Sequence, residues 1–176
     1  VRPFLTLRGM RSSAIDKRPV SEPVFVGPLG LAGDEQAQRR IHGGPVKAVY
    51  VYASEDLAWW SAELGRPIEP GFIGENLTTA GIDLHALWPG DELHAAEVIL
   101  RVTQPRDPCA NLAARIGIAG FEKRFGRAGR TGVYCAVVRD GHVSRGEPLA
   151  VAAGGEPGPS IREILSETYG TDLPPG

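Results

Sequence analysis

The sequence predicts a mostly β protein with short α-helices. Three observations point there. The 176 residues carry 23 glycines and 15 prolines spread along the chain, punctuation that suits short strands joined by turns better than long helices. Val and Tyr alternate between Val46 and Tyr52, and the run from Gly132 to Val138 is almost wholly apolar; β-branched and aromatic enrichment of this kind favours strands. Helical periodicity is confined to brief segments, the clearest being an amphipathic stretch that closes the chain.

Taken in order, Phe4–Arg8 and Pro23–Val26 read as short strands, with Gly9–Pro19 between them as a polar, basic connection. Gly27–Gly33 reads as a glycine-punctuated loop. Asp34–Arg40 reads as one short helical turn, acidic first and basic last as the dipole prefers. Val46–Tyr52 is the strongest strand of the first half. Ser54 then offers an N-cap, Glu55 and Asp56 fill the first turn, and Gly65 ends the helix. Leu57, Trp60 and Leu64 share its apolar face, so Trp60 is expected in the core. Phe72–Thr79 follows as an extended segment.

Val98, Leu100 and Val102 alternate with Ile99, Arg101 and Thr103, a half-buried strand. Asn111–Ile116 and Gly120–Phe125 read as short helices, and Cys135 within 132–138 as a core residue. Asp140-Gly141 is a two-residue hairpin signal to the next strand. After the linker-like Gly154–Pro159, Ser160 and Glu163 match a capping box. Ile161, Ile164, Leu165 and Thr168 then form one face. The expected organisation is one β domain over residues 1–153, followed over 154–176 by a linker and a short helix.

A net charge of −2, from 19 basic and 21 acidic residues, offers no electrostatic footprint for nucleic acid or for an anionic membrane. No apolar run approaches a membrane span, and the N-terminal residues are too short and too charged for a signal peptide. With only two cysteines there is no disulfide framework and no zinc or iron–sulfur pattern. A cytoplasmic protein with reduced thiols is expected.

The most informative stretch is Val102-Thr103-Gln104-Pro105-Arg106-Asp107-Pro108-Cys109. Two prolines fix φ and remove backbone donors, so the chain must turn. The turn delivers the Cys109 thiol beside Arg106, and a nearby cation favours the thiolate, the form that attacks electrophiles and binds metals. A small residue filling a core gap is the other reading of Cys109. Three further groups are candidates. His42 and Lys47 flank Gly43-Gly44, where backbone can approach a ligand closely. Glu75, Asn76 and Thr78 lie after Gly74, with acceptors and donors suited to a polar heterocycle. Ser12, Ser13 and Lys17 would suit a phosphate. Motifs for serine hydrolases, zinc peptidases and dinucleotide binding are absent.

These groups fall in a fixed order: Ser13-Ala14-Ile15-Asp16-Lys17, Gly33-Asp34-Glu35-Gln36-Ala37, His42-Gly43-Gly44-Pro45, Gly74-Glu75-Asn76-Leu77-Thr78 and the Cys109 run. In this order the chain resembles the MOSC domain family, named for the C-terminal domain of molybdenum cofactor sulfurases. Within it, the chain is most similar to stand-alone bacterial proteins that reduce N-hydroxylated purines such as 6-N-hydroxylaminopurine. The resemblance covers about Ser12 to Val151 and implies a MOSC-type β-barrel. It also implies a molybdenum cofactor (molybdenum–molybdopterin) whose metal is held by Cys109. Ser13, Lys17, His42, Glu75, Asn76, Thr78 and Arg106 match motif positions that the resemblance assigns to the pterin and phosphate site; Lys47 is a further cofactor-binding candidate, and Glu75 or His42 is the candidate proton donor. Bacterial proteins of this kind carry a longer helical extension than Ser160–Gly170.

The expected activity is molybdenum-dependent reduction of N-hydroxylated compounds, a detoxifying reaction, by a monomer or homodimer. Pyridoxal phosphate is not expected. No flavin, nicotinamide or iron–sulfur motif is present, so an external electron-donor protein is expected to supply electrons. A persulfide carrier acting through Cys109, or a non-enzymatic cofactor carrier, are the alternatives.

Overall fold

The computed structural model describes residues 2–6, 9–13, 17–34, 44–154 and 158–171. A six-stranded sheet, curled into a half-barrel, organises them. Its strands are β5 (Val49–Ala53), β6 (Leu77–Thr79), β7 (Glu92–His94), β8 (Ile99–Pro105), β9 (Val133–Arg139) and β11 (Ala150–Ala152), in spatial order β11-β7-β8-β9-β5-β6. All neighbours are antiparallel except β5 and β6, which are parallel. Helix α1 (Ser54–Leu64) makes the crossover between them, as parallel strands require. Strands β1 (Arg2–Thr6) and β2 (Gly9–Ser13) form a hairpin. Strands β3 (Val24–Gly27), β4 (Gly30–Leu31) and β10 (Gly141–Val143) form a third sheet. The described residues are thus mostly β with four short α-helices, as the sequence predicts.

The six-stranded sheet buries both faces, and the two faces differ in chemistry. One carries an aliphatic cluster containing Val49, Val51, Leu100, Val102, Val133 and Cys135, closed by Ile161 and Leu165 of α4 (Ile161–Tyr169). The other carries an aromatic cluster of Tyr50, Tyr52, Trp60, Phe121, Phe125 and Tyr134, covered by α1, α2 (Ala110–Ile116) and α3 (Phe121–Arg127). Trp60 is fully buried, as its helical spacing predicts, and stacks on Phe125 at 5.5 Å. In β8 the register slips between Val102 and Gln104, which leaves Thr103 as a bulged residue. Its hydroxyl lies 2.7 Å from the Val46 carbonyl oxygen and 2.9 Å from that of Tyr134. The bulge exchanges which face the following residues address.

Several elements differ from expectation. Part of the Gly9–Pro19 connection is strand β2, because its partner residues lie three to eleven positions away and pairing overrides a polar composition. Residues Pro45–Lys47 form a 3-10 turn and the strand begins only at Val49; Pro45 favours a helical start and cannot donate to a ladder. Ser54 is not the N-cap of α1: Ala53 is, and the Ser54 hydroxyl donates to Glu55. The 72–79 strand shrinks to Leu77–Thr79, with Gly71 and Gly74 at positive φ breaking the chain before it. Asp140-Gly141 does not close a hairpin between β9 and β10, since β10 pairs with β3. A Cβ at Gly141 would lie 2.6 Å from Glu97 Cβ, so this glycine serves close packing.

Helix α4 has its full capping box from Ser160 and Glu163. Thr168, however, is exposed and donates to the Ile164 carbonyl; Tyr169 takes the inward position. Only Asp34 of the Asp34–Arg40 turn falls within the described residues. Away from the sheet centre, a chain of charged and polar groups ties α1 to α4. Asp56 pairs with Arg130 and faces His85 Nε2 at 3.5 Å; His85 Nδ1 faces Asp83 at 3.3 Å; Asp83 pairs with Arg162 at 2.9 Å.

Candidate functional site

The turn after β8 delivers Arg106 and Cys109 to the aromatic face. The Arg106 amide donates to the Gly132 carbonyl at 3.2 Å. Gly132 has φ 68°, and a Cβ there would lie 2.5 Å from the Val51 carbonyl oxygen, so the backbone approach that anchors the turn requires glycine. Arg106 is only 4% exposed. Its guanidinium lies 5.1 Å from the Tyr50 ring and 5.6 Å from the Phe125 ring. One terminal nitrogen, Nη2, donates to Cys109 Sγ at 3.4 Å. The other, Nη1, is buried with no partner. Burial works against the Arg106 charge, but the surrounding Tyr50, Cys109 and Tyr134 groups outweigh it and hold its pKa above the ordinary value.

Cys109 is half-buried against the aromatic cluster and precedes the first residue of α2. Cys135 is fully buried on the aliphatic face, where desolvation pushes its thiol pKa well up. The two thiols are therefore on opposite faces of one sheet.

Glu75, Asn76 and Thr78 arrive beside this turn through β6. Glu75 is 2% exposed. Its Oε1 accepts from the Gly71 amide at 2.7 Å and from the Thr78 hydroxyl at 3.1 Å, while Oε2 is buried without a partner. Gly71 sits at φ 86°, and a Cβ there would lie 2.4 Å from the Lys17 carbonyl oxygen. This contact brings the Lys17 segment against Glu75. Lys17 Nζ pairs with Asp34 at 2.9 Å. Burial lowers its pKa, opposed by Asp34 and by the charge of Glu75, with Arg106 acting in the same sense as burial. Asn76 is engaged in structure: its side chain accepts from the Tyr50 amide at 2.9 Å and donates to Asp34 at 2.7 Å.

The structure thus gathers Lys17, Glu75, Asn76, Thr78, Arg106 and Cys109 around one end of β5 and β9. Lys47 stands next to them, its ammonium 5.4 Å from the Tyr134 ring. Ser13 is placed only as the last residue of β2; its side chain and all of His42 lie outside the described residues. Three participants were not singled out by sequence. Asp34 joins Lys17 to Asn76; it stands in the Gly33-Asp34-Glu35-Gln36-Ala37 motif, but nothing in the sequence assigns it a part in the site. Tyr50 and Tyr134, paired across β5 and β9 with rings 5.3 Å apart, read simply as strand residues. Tyr50 donates to the Thr131 carbonyl and Tyr52 to that of Arg130; the Tyr134 phenol instead feels Arg106 and Cys109, and burial raises its pKa.

Chemically, the site offers a soft sulfur donor held by a guanidinium, an ammonium, and two buried polar atoms of opposite sign with nothing to bond. Unsatisfied buried polar atoms each cost about 1–3 kcal/mol. Arg106 Nη1 and Glu75 Oε2 are therefore suited to a ligand that carries both an anionic oxygen and N–H donors. A pterin with its phosphate meets both requirements. Among the described residues, no three His, Cys, Asp or Glu side chains converge to hold a metal ion. A metal at Cys109 would draw most of its ligands from a non-protein group, which a pterin dithiolene supplies.

Comparison with known proteins identifies the family. Bacillus subtilis YflK is 37% identical over 150 residues, 85% of this chain and 68% of that protein. A Gibberella moniliformis protein named Reductase is 34% identical over 82% of this chain, which spans only 26% of its length. The crystal structure of YiiM from Geobacillus stearothermophilus superposes with a TM-score of 0.77 at 31% identity, over 96% of this chain and 79% of that one. The MOSC domain matches residues 38–150, and with these relatives it shows that the chain belongs to the MOSC domain family.

Proposed function

We propose that this protein binds a molybdenum–molybdopterin cofactor and reduces N-hydroxylated bases or related N-oxygenated compounds. MOSC membership is consistent with molybdenum-cofactor-associated, reductase-like function. The observation that carries the reading is the Arg106 fork: one nitrogen on Cys109 Sγ, the other buried and unpartnered, with Glu75, whose Oε2 is likewise unpartnered, acting on the same Tyr50. The proposed domain, residues 1–153, holds this site, with 154–176 as linker and helix.

Cys109 is the proposed metal ligand, and soft sulfur suits such a metal. Arg106 stabilises the thiolate and binds an anionic oxygen of the cofactor. Lys17 and Lys47 add positive charge for the phosphate, with Ser13 as a hydroxyl donor. Glu75 receives the pterin N–H groups, oriented by Gly71 and Thr78, and Asn76 fixes Asp34 and Lys17. When bound, the cofactor supplies two-electron N–O bond chemistry. Glu75 and His42 are the proposed proton carriers, giving the two protons needed as hydroxylamine becomes amine and water. The electrons come from an external donor protein.

The test is elemental and catalytic. Protein made in a cofactor-competent host should contain about one molybdenum per chain, the stoichiometry of a single thiolate ligand, and should reduce 6-N-hydroxylaminopurine with a dye reductant. Cys109→Ser should lose both while folding normally. Sulfane sulfur without molybdenum, or full turnover in Cys109→Ser, would overturn the reading.

A further inference from the structure

The outer face of α3 is unlike the rest of the molecule. Residues 115–130, running from α2 through α3, carry five basic side chains and one acidic one, a net charge of +4; Lys123, Arg124 and Arg127 belong to α3, while Arg115 lies over the Phe72 ring and Arg130 pairs with Asp56. The whole chain is −2, so the remainder is −6. Lys123, Arg124 and Arg127 are exposed. Arg124 pairs with Glu63 at the surface, and Glu122 is half-buried on the same helix. Lys123 and Arg127 have no acidic partner among the described residues. Ile118, 40% exposed, lies in the connection leading into the helix and adds an apolar contact point.

The inner face of the same helix touches the candidate site. Phe125 packs its ring 5.6 Å from the Arg106 guanidinium. At Gly126 a Cβ would lie 3.3 Å from Pro108 Cγ, next to Cys109. One helix, about 10 Å thick, therefore separates the basic surface from the thiol.

We infer that this α3 surface is the docking site for the electron-donor protein, and that the donor is a small acidic one-electron carrier. The inference rests on the proposed reductase reading. The arrangement brings a negatively charged partner within one helix diameter of Cys109, while the −6 remainder repels it from other faces. The same negative remainder disfavours a long polyanion such as nucleic acid, which would contact more than one face. Two reduced carriers each give up one electron, and with two protons the N–OH bond is cleaved to amine and water. A flavodoxin hydroquinone ends as semiquinone; a reduced ferredoxin ends oxidised.

The experiment uses the full chain with two acidic carriers, a flavodoxin and a ferredoxin, and reads binding calorimetrically before any turnover. Binding of at least one should weaken about tenfold or more between low and moderate salt and again in Lys123→Glu/Arg127→Glu, the scale expected for electrostatic steering. Carrier-driven reduction should fall in parallel, and reduction driven by methyl viologen should not change. Binding by neither carrier, binding indifferent to the charge reversals, or tighter binding of a DNA oligonucleotide would overturn the inference. Absence of methyl-viologen turnover in the parent protein would count against the reductase reading instead, and the binding result would still decide the docking site.

Discussion

Cys109 and Cys135 are separated by the thickness of one sheet, and their surroundings share almost nothing. Cys135 lies in the middle of β9, opposite Val49 and Val102, among aliphatic side chains that leave its thiol no partner and raise its pKa. Cys109 lies beyond a strand end, half-buried against aromatic rings, with a guanidinium hydrogen on its sulfur. The aliphatic face is a packing device. The aromatic face packs too, but its rings also enclose a cation and leave buried polar atoms in need of a ligand. Polar chemistry is thus concentrated where the core is built from flat, polarisable groups rather than branched ones.

The sharpest way to break this comparison is to remove the centre of the aromatic face. Trp60→Ala should destabilise by about 3–5 kcal/mol, measured as a lowered urea midpoint, because its ring contacts Phe121 and Phe125. On the aliphatic face, Cys135→Ser should cost about 1–3 kcal/mol for a buried hydroxyl without a partner. Iodoacetamide should label one thiol in the native protein and two after denaturation; labelling of both under native conditions would dissolve the distinction. Ser160→Ala removes the cap that helps α4 close the aliphatic face and should cost about 1 kcal/mol, read by thermal denaturation.

The smallest expected effect is a pH dependence. Burial lowers the His85 pKa below its ordinary value of 6.5, opposed by Asp56 and Asp83 and assisted by Arg130 and Arg162. The unfolded chain therefore takes up a proton that the folded one resists. Stability should be fully present above about 6.5 and fall as pH drops toward the lower folded value. His85→Gln should flatten that part of the stability profile; an unchanged slope would remove His85 as its source.

What the sequence reveals here is largely local. The Cys109 turn is written in two prolines, the capping box in Ser160 and Glu163, and the core position of Trp60 in helical spacing. What it conceals is non-local. No neighbour of Tyr134 says that its ring lies beside Arg106, and nothing near Asp34 says that it joins Lys17 to Asn76. The Gly9–Ser13 strand was obscured by its polar residues, since a hairpin is decided by pairing and not by composition. The Asp140-Gly141 signal marks a change of sheet and not a hairpin, because the chain leaves one sheet there to join another. Of the candidate site, the motif residues in the described parts do converge, but the aromatic walls between them come from strands read only as scaffold.

The bulge at Thr103 has a consequence for how such a site is kept or lost. Side chains on a strand point up and down in turn, so one surplus residue inverts the parity of all that follow. Gln104, two residues after Val102, therefore lies on the opposite face from it, across from Tyr134. Losing Thr103 would return the strand to plain alternation with Gln104 still opposite Tyr134, so the ladder carries one residue of slack: a single lost codon here would cost the two hydrogen bonds of the Thr103 hydroxyl and leave the guanidinium facing the same rings.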